Sequence, residues 1–256
     1  MRGITKSFGS VKALERVDLD VFAGKVTALV GDNGAGKSTL IKAISGISEP
    51  DGGTITWKGN QVHVRTPKEA TDLGIATVYQ DLALCDNLDI VQNAFLGREL
   101  RRHFLLDEGA MERKAKQALA DLKVVTVRSI RQLVGSLSGG QRQAVAVAKA
   151  VMQNAQLVIM DEPTAALGVT QTALVIELIK HLAEQGVAVM VVSHNLNDVF
   201  AMADEIAVLY LGRTTGSQPV SELNLQTVLE LITTGGVASQ TNGSDAGPVT
   251  PAEAKD

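Results

Sequence analysis

The segment Gly31–Ser38, with the sequence Gly-Asp-Asn-Gly-Ala-Gly-Lys-Ser, has the spacing of a phosphate-binding loop. It follows an apolar run at 26–30 and precedes a run of helical spacing from Lys37. Glycines let backbone N–H groups turn toward a phosphate, and a helix N-terminus adds the positive end of its dipole. In this pattern the lysine reaches the β- and γ-phosphates and the serine binds magnesium. We therefore predict a nucleotide-phosphate site made of Gly31, Asn33, Gly34, Ala35, Gly36, Lys37, Ser38 and Thr39.

Two adjacent carboxylates, Asp161 and Glu162, end the apolar run 157–160. A strand that ends in carboxylates beside a phosphate loop provides a further magnesium contact. Because consecutive side chains of an extended chain point to opposite faces, we expect Asp161 to hold magnesium and Glu162 to activate water as a general base. The alternative is that both are turn acids ahead of Pro163.

The pentapeptide Leu137–Gln141, with the sequence Leu-Ser-Gly-Gly-Gln, begins a predicted helix over 139–152. Ser138 and Gln141 have the spacing of a capping box. Consecutive glycines weaken a helix, by up to roughly 1 kcal/mol each in its interior, so we infer that the backbone here approaches another group closely. A serine and bare N–H groups at a positive helix end predict a second phosphate receptor, formed by Ser138, Gly139, Gly140 and Gln141.

The runs between these motifs predict an α/β fold with a mainly parallel central sheet. Apolar runs rich in Val and Ile, typical of strands buried on both faces, lie at 25–30, 75–79, 157–160, 187–192 and 206–210. Runs of helical spacing lie between them at 37–45, 139–152 and 170–185. Strands therefore alternate with helices.

Two regions depart from that alternation. Residues 50–66 predict two short strands as a small antiparallel β addition. Residues 82–153 predict an inserted helical lobe, with Asp89 as an N-cap before 90–95 and an amphipathic run at 111–122. We expect a single domain over 1–232 and a flexible, polar tail over 233–256.

Composition excludes several classes of protein. The 256 residues are 45% hydrophobic and 20% charged, which supports a large core. A net charge of -4 gives no broad cationic field, so nucleic acid is not an expected partner. The single cysteine, Cys85, favours a reducing cytoplasm. Because the apolar runs are far shorter than the roughly 20 residues of a membrane-spanning helix, any membrane role would need a partner.

A basic cluster follows Gly97 and consists of Arg98, Arg101, Arg102 and His103. It predicts a solvated surface or, alternatively, a contact with a partner or an acidic lipid.

Taken together, the motifs resemble those of ATP-binding-cassette (ABC) ATPases over residues 1 to about 215. The phosphate loop, the pentapeptide and the Asp161-Glu162 pair carry the resemblance, which implies the P-loop ABC ATPase fold and hydrolysis of magnesium-ATP to ADP and phosphate. It further implies a head-to-tail dimer in which Lys37 of one subunit and Ser138 of the other enclose one ATP.

Three further site residues follow from the same resemblance. Gln80, after the run 75–79, is implied as a catalytic contact to magnesium and water that links to the helical lobe. His194, after the run 187–192, is implied as a sensor of the γ-phosphate. Phe8 matches the aromatic residue that stacks on adenine; the alternative is a core phenylalanine.

The stretches 75–99 and 161–169 are similar to the ATPases of bacterial simple-sugar importers of the ribose and fructose type. That similarity implies a subunit on the cytoplasmic face of the inner membrane that energises sugar uptake through a membrane permease, with a periplasmic sugar-binding protein as an indirect partner. A single cassette in the chain implies a homodimer. Gly168 stands where most cassettes have aspartate, which puts the usual contact across the dimer in doubt, and the chain begins inside the expected first strand.

Three other functions remain open from the sequence. One is a soluble ABC ATPase outside transport, and another is the ATPase of an ABC exporter. The third is a P-loop kinase, which would need an acceptor site in place of the pentapeptide.

Overall fold

The apolar runs form strands of two main sheets in a computed structural model that describes residues 1–124 and 126–236. The strands, numbered along the chain, are β1 (Arg2–Phe8), β2 (Val11–Val17), β3 (Val26–Val30), β4 (Gly52–Trp57), β5 (Asn60–Val62), β6 (Ile75–Val78), β7 (Arg101–Arg102), β8 (Leu105–Leu106), β9 (Leu157–Asp161), β10 (Ala188–Val192), β11 (Glu205–Tyr210) and β12 (Arg213–Pro219).

The larger sheet has six strands in the order β12-β11-β3-β10-β9-β6. All neighbouring strands in it are parallel, except that β12 runs antiparallel to β11. The five predicted strands lie in this sheet, each within one residue of its expected ends. The predicted α/β fold with a mainly parallel sheet is therefore confirmed.

Strand β9 shows why these runs lack polar alternation. Val158 and Met160 pack into one apolar cluster, together with Ile179 and Leu182, whereas Ile159 packs on the opposite side of the sheet. Since both faces are covered, every residue from Leu157 to Met160 is buried. The carboxyl end of the strand, at Asp161, is the first position that reaches solvent.

The smaller sheet is antiparallel, with the order β2-β1-β4-β5. The predicted antiparallel addition over 50–66 is confirmed in β4 and β5. The sheet is larger than predicted, because β1 and β2 also belong to it. Their short hairpin turn brings Phe8 opposite Val11.

Helices cover both faces of the larger sheet and form the helical lobe. They are α1 (Lys37–Ile44), α2 (Pro67–Asp72), α3 (Ile90–Phe95), α4 (Glu108–Asp121), α5 (Gly139–Met152), α6 (Val169–Glu184), α7 (Leu196–Met202) and α8 (Leu225–Thr234).

The chain between β6 and β9 holds α3, α4, α5 and the small hairpin of β7 and β8. Asp89 caps α3 as predicted, with Gln92 completing a capping box. Helix α5 packs against α3, α4 and α6 and also against β6, so the helical lobe shares its apolar core with the sheet. Helix α4 begins at Glu108, three residues before the predicted amphipathic run.

At the C-terminal end, α8 continues to Thr234 and is closed by Gly235 in a left-handed conformation, with φ 65°. The first two residues of the predicted tail, 233 and 234, are therefore helical. The rest of that prediction, from 237 onward, falls outside the described residues. Over the described ranges, the longest helices lack the length and hydrophobicity needed to cross a bilayer.

Candidate functional site

The phosphate loop joins β3 to α1 in the way that its sequence predicts. Gly36 precedes α1 with φ 108°, a left-handed conformation, and a Cβ atom there would lie 2.5 Å from the carbonyl oxygen of Ala13 in β2. A side chain at this position would therefore collide with the neighbouring sheet. The loop is fixed from the other side by a hydrogen bond from the Gly212 N–H to the Ala35 oxygen, at 2.9 Å.

Lys37 is almost completely buried, with 9% of its surface exposed. Its Nζ donates to the carbonyl oxygens of Gly31, at 2.7 Å, and Asp32, at 3.0 Å. The ammonium group is thus held by the loop that it would serve, and a bound phosphate would compete for it with these two carbonyls.

Several N–H groups at this end of α1 have no acceptor among the described residues: those of Gly34, Gly36, Lys37 and Ser38. The capping side chain that often fills a helix N-terminus is also absent here. Unpaired N–H groups at the positive end of a helix bind anions. The loop can therefore accept a phosphate through its backbone. Two other predicted contacts, Asn33 and Thr39, flank this stretch.

Asp161 and Glu162 lie at the carboxyl end of β9. The expectation that strand alternation points their side chains to opposite faces was wrong. Asp161 is the last residue of the strand, whereas Glu162 has φ 50°, which is left-handed and not extended. The Glu162 N–H donates to Val192 of β10 at 2.8 Å. The turn at Glu162, and not strand alternation, sets the direction of its side chain.

Glu162 and His194 meet at the carboxyl ends of two neighbouring parallel strands. His194 Nδ1 lies 2.8 Å from Glu162 Oε1. The glutamate side chain is only 15% exposed, whereas the histidine is 70% exposed. Nε2 of the histidine has no partner among the described residues and is available to a ligand. This contact brings together two residues that sequence analysis placed in the same site.

The electrostatics around Asp161 suit a cation. Burial raises the pKa of its carboxyl above the ordinary value, the charge of Glu162 raises it further, and Lys37 opposes both. The described residues hold no cluster of three or more His, Cys, Asp or Glu side chains placed to bind a metal. Magnesium takes few protein ligands and keeps several waters, so one carboxylate and the exposed Ser38 hydroxyl fit it.

A second link between the two strand ends was missed by sequence analysis. Thr164, which is buried, donates its hydroxyl to Asp198 Oδ2 at 2.7 Å, and Asn195 Nδ2 donates to the same oxygen at 3.0 Å. Asp198 thereby ties the turn after Glu162 to the start of α7, just after His194. A polar residue four positions beyond a predicted site histidine carries too weak a sequence signal to single out.

The pentapeptide begins α5 as predicted. Ser138 Oγ accepts from the Gln141 N–H at 3.4 Å, and Gln141 Oε1 accepts from the Ser138 N–H at 2.9 Å, which completes the capping box. The Gly139 and Gly140 N–H groups donate to no acceptor in the described part of the chain. Ser138 is exposed beside them, so this second helix end can also accept an anion.

The glycine pair approaches other groups closely, but these groups belong to the same chain. A Cβ on Gly139 would lie 2.6 Å from Leu167 Cδ2, and one on Gly140 would lie 3.3 Å from Gln171 Cβ. Gly139 therefore packs against Leu167, in the turn before α6, but it meets the end of a flexible side chain, so this packing alone does not require glycine.

Phe8 and Gln80 both lie on the surface, and the roles implied for them need exposed side chains. Phe8 is 54% exposed at the end of β1, which excludes the core alternative. Lys6 Nζ lies 5.8 Å from its ring centroid. Gln80 is exposed immediately after β6, on the same edge of the sheet as Glu162 and His194, because β6 is parallel to β9.

Asn93 organises the loop that follows Gln80, and sequence analysis missed it. It is completely buried in α3; its Oδ1 accepts from the Cys85 N–H at 2.7 Å, and its Nδ2 donates to the oxygens of Cys85, Leu88 and Asp89. An asparagine in a helical run looks like an ordinary polar position in sequence. Its role becomes visible only when the loop folds back onto the helix.

That loop is also joined to the segment before the pentapeptide. The Val134 N–H donates to Leu88 and the Gly135 N–H to Asp86, both at 3.0 Å. Asp86 also forms an ion pair with Arg142, in the first turn of α5. We call this set of contacts the lobe clamp. It connects the neighbourhood of Gln80 mechanically to that of Ser138.

A cavity of ≈450 Å³ opens on the other side of the pentapeptide, between α4, α5 and α6. Ser138, Gly140 and Gln141 are part of its lining, but no residue of the phosphate loop is. It is therefore not the nucleotide site that the loop predicts.

Comparison with known proteins places this arrangement in a family. A family model described as ABC transporter matches residues 14–165. The fructose import ATP-binding protein FrcA of Rhizobium meliloti is 48% identical over 219 residues, covering 83% of this chain and 84% of that protein. The xylose/arabinose import ATP-binding protein XylG of Sulfolobus acidocaldarius is 44% identical over 233 residues, covering 91% of this chain and 92% of that protein.

The ribose import ATP-binding protein RbsA of Geobacillus kaustophilus is 42% identical over 91% of this chain, but the match spans only 47% of its own length. Among solved structures, the ATP-binding cassette MJ1267 of an ABC transporter has a TM-score of 0.77 and 26% identity, covering 91% of this chain and 94% of that one. The dimeric bacterial ABC transporter cassette MJ0796 has a TM-score of 0.71 and 25% identity, covering 86% of this chain and 97% of that one.

Proposed function

Because this chain belongs to the ABC transporter family of ATP-binding proteins, we propose that it is the ATP-hydrolysing subunit of an importer that takes up a simple sugar through a membrane permease. The contact that carries the enzymatic part of the proposal is Glu162 against His194, at 2.8 Å. The substrate class is supported by the printed names of its relatives, which are import ATP-binding proteins for fructose, xylose/arabinose and ribose. Those names favour import over export and over a role outside transport.

In the proposed reaction, the loop N–H groups and Lys37 bind the phosphates of ATP. Lys37 exchanges its bonds to Gly31 and Asp32 for a charge-assisted bond to the nucleotide, which is stronger than a bond to a neutral carbonyl. Phe8 stacks on the adenine through its exposed face. Magnesium, held through Ser38, Gln80 and Asp161, would neutralise charge on the phosphates.

Glu162 is the proposed general base. Its side chain is 15% exposed and is held by His194, and it would accept a proton from a water that attacks the γ-phosphate. His194 is held through Nδ1, which leaves Nε2 to contact the γ-phosphate. We infer that Asp198 and Thr164 hold the two segments in register, so that glutamate and histidine act on the same phosphate.

The pentapeptide completes the site of a second subunit. A helix N-terminus with free N–H groups at Gly139 and Gly140 provides donors for a γ-phosphate that it cannot reach in its own chain, since Ser138 and Lys37 lie on different parts of the fold. We propose a homodimer with two ATP molecules at the interface. Loss of the γ-phosphate on hydrolysis removes contacts from both subunits and opens the dimer.

Coupling to the permease would run through the helical lobe. Gln80 responds to the nucleotide, and the lobe clamp carries its displacement to the lobe as a whole. We place the assembly at the cytoplasmic face of the inner membrane, with a periplasmic sugar-binding protein reaching the permease from the other side.

The first experiment measures the rate at which Glu162→Gln releases phosphate from magnesium-ATP and compares it with the rate of the unmodified chain. We expect nucleotide affinity to be kept and the turnover number to fall by about 10²–10⁴-fold, the usual contribution of a general base. Glu222→Gln is the matched control, because Glu222 is exposed and forms no ion pair in the described residues. Undiminished turnover in Glu162→Gln would refute the base assignment.

The transport assignment has its own test. Tagged Glu162→Gln, held in its ATP-bound state, would be recovered from native membranes and its bound proteins identified by mass spectrometry. Recovery of a polytopic permease supports the importer, and transport of sugars by the reconstituted complex identifies the substrate. Recovery of soluble partners alone contradicts the importer and leaves the ATPase assignment intact.

A further inference from the structure

The hairpin of β7 and β8 belongs to the helical lobe and has no role in the proposed ATPase chemistry. Among the described residues, its strands pair only with each other, through Arg101 with Leu106 and Arg102 with Leu105. The base of the hairpin is fixed by a hydrogen bond from the Asp107 N–H to the Leu100 oxygen, at 2.8 Å. The remainder projects from the lobe with little support of its own.

The tip of this hairpin is apolar and has no cover. Phe104 is 100% exposed, Leu105 is 77% exposed and Leu106 is 52% exposed. Three consecutive large apolar residues in water are unfavourable for an isolated chain, and such patches mark contact surfaces. A fully exposed aromatic at a protruding turn differs from the half-exposed Phe8, which lies on the edge of a sheet.

Cationic charge surrounds the apolar tip. Arg98, Arg101 and Arg102 are exposed, and none of them forms an ion pair with any residue that the structure describes. His103 lies at the turn between the two strands.

Acids beside this cluster offset part of its charge, but among the described residues none of them forms an ion pair with Arg98, Arg101 or Arg102. Glu99 accepts from the Gly97 N–H at 2.9 Å, Asp107 caps α4 by accepting from the Ala110 N–H at 2.9 Å, and Glu108 is paired with Arg131 at 2.8 Å. The hairpin itself, from Arg101 to Leu106, contains no acid.

We propose that this hairpin binds the surface of an anionic phospholipid bilayer. The arginines contact lipid phosphates, and Phe104 and Leu105 enter the boundary between headgroups and acyl chains. Cationic residues beside exposed aromatic and aliphatic ones are the combination that anionic interfaces bind. The residues from 102 to 109 line an open concavity, and the Phe104 side chain is fully exposed, so the tip favours a lipid surface, which needs no enclosing groove, over a protein partner. The contact goes beyond the proposed function, as it needs neither ATP nor a permease.

The test is flotation of the purified full-length chain with vesicles made of phosphatidylglycerol and phosphatidylcholine, compared with pure phosphatidylcholine. We expect binding to the anionic vesicles only, and weaker binding as salt rises. Arg101→Glu combined with Arg102→Glu should lower the partition coefficient by about 20-fold or more, since each basic residue near such a surface contributes about fivefold. The matched control is Lys58→Glu combined with Lys68→Glu, two exposed lysines outside the lobe.

Insertion of the tip is tested separately. Phe104→Asp should weaken binding about tenfold or more, whereas Leu211→Asp, at another exposed turn, should not. In Phe104→Trp, lipids with brominated acyl chains should quench the new fluorophore and spare the native Trp57. Rates of ATP hydrolysis in solution should be the same for all these variants, which separates this test from that of the proposed function.

Three results would overturn the proposal. One is equal binding to neutral and anionic vesicles, and another is an equal loss in the lysine control. The third is absence of vesicle binding while the hairpin variants still lower recovery of the chain with a permease, which would assign the hairpin to a protein partner.

Discussion

The two candidate phosphate receptors are both helix N-termini with free N–H groups, yet the fold holds them in different ways. The phosphate loop is built into the sheet: Lys37 is buried and bonded to its own loop, and Gly36 is pressed against β2. The pentapeptide stands on the surface of the helical lobe, where Ser138 is exposed and Gly139 packs on a flexible leucine tip. The phosphate loop is therefore the rigid receptor of the two, and the pentapeptide is the exposed receptor.

This difference agrees with what each receptor would do. A site that binds nucleotide in a single subunit needs rigid donors, because reorganisation on binding costs affinity. A surface that must close on a second subunit and later release it needs a hinge. The lobe clamp connects the exposed receptor to the carboxyl edge of the larger sheet, since it joins the loop after Gln80 to the start of α5.

The largest expected effect concerns the rigid receptor. Lys37→Ala should lower ATP affinity about 10–100-fold, because a charge-assisted bond contributes about 1.5–3 kcal/mol. Isothermal titration with ATP measures this directly. Lys42→Ala is the control, as Lys42 is exposed in the last turn of the same helix. Equal affinity in the two variants would show that the loop binds phosphate through its backbone alone.

The second effect concerns the exposed receptor at the pentapeptide. Gly139→Ala places a Cβ 2.6 Å from Leu167 Cδ2, so the leucine or the helix end must shift. We expect ATP hydrolysis to fall by up to about tenfold, to the extent that the helix end moves away from the partner's nucleotide. ATP affinity of the isolated subunit should stay unchanged. The double variant Gly139→Ala with Leu167→Ala removes the clash and should restore most of the activity. A failure of this rescue would mean that the glycine is needed for the nucleotide itself.

The same two regions show how far sequence alone could go. The phosphate loop, the Asp161-Glu162 pair and the pentapeptide were predicted because each is a local pattern attached to a strand end or a helix start. The five core strands were predicted because burial on both faces removes polar alternation. These features depend on neighbours in sequence.

What sequence could not give depends on distant neighbours. No residue near Glu162 in sequence indicates its left-handed turn, which is stabilised by a hydrogen bond from the Glu162 N–H to the Val192 oxygen. The Thr164–Asp198 bond joins residues 34 positions apart, and Asn93 makes its bonds only after the loop has folded back. The glycines of the pentapeptide suggested close approach correctly, but only the fold shows that α6 is the neighbour.

The lobe clamp gives a third and smaller effect. Asp86→Arg breaks the ion pair with Arg142 and places two like charges together, so we expect ATP turnover to fall about two- to fivefold and its Hill coefficient to decrease toward one. Surface ion pairs are weak, at about 0–1 kcal/mol, and the backbone bonds of the clamp remain. The charge-swapped variant Asp86→Arg with Arg142→Asp should recover the Hill coefficient. Recovery of turnover without the Hill coefficient would contradict a coupling role.

The smallest effect concerns stability and the strand end at Asp161, the last residue of β9. The pKa of Asp161 is raised chiefly by burial and then by Glu162, so its ionised form destabilises the fold at pH values above that raised pKa. That cost disappears below the unfolded pKa, where the carboxyl is neutral in both states. Asp161→Asn should therefore raise the melting temperature of the nucleotide-free chain by ~1–3 °C at neutral pH, as measured by calorimetry, and the gain should vanish in acid. Asp72→Asn, at the exposed end of α2, should leave it unchanged. If Asp161→Asn also leaves the melting temperature unchanged, the ionised carboxylate of Asp161 is already solvated and does not destabilise the fold.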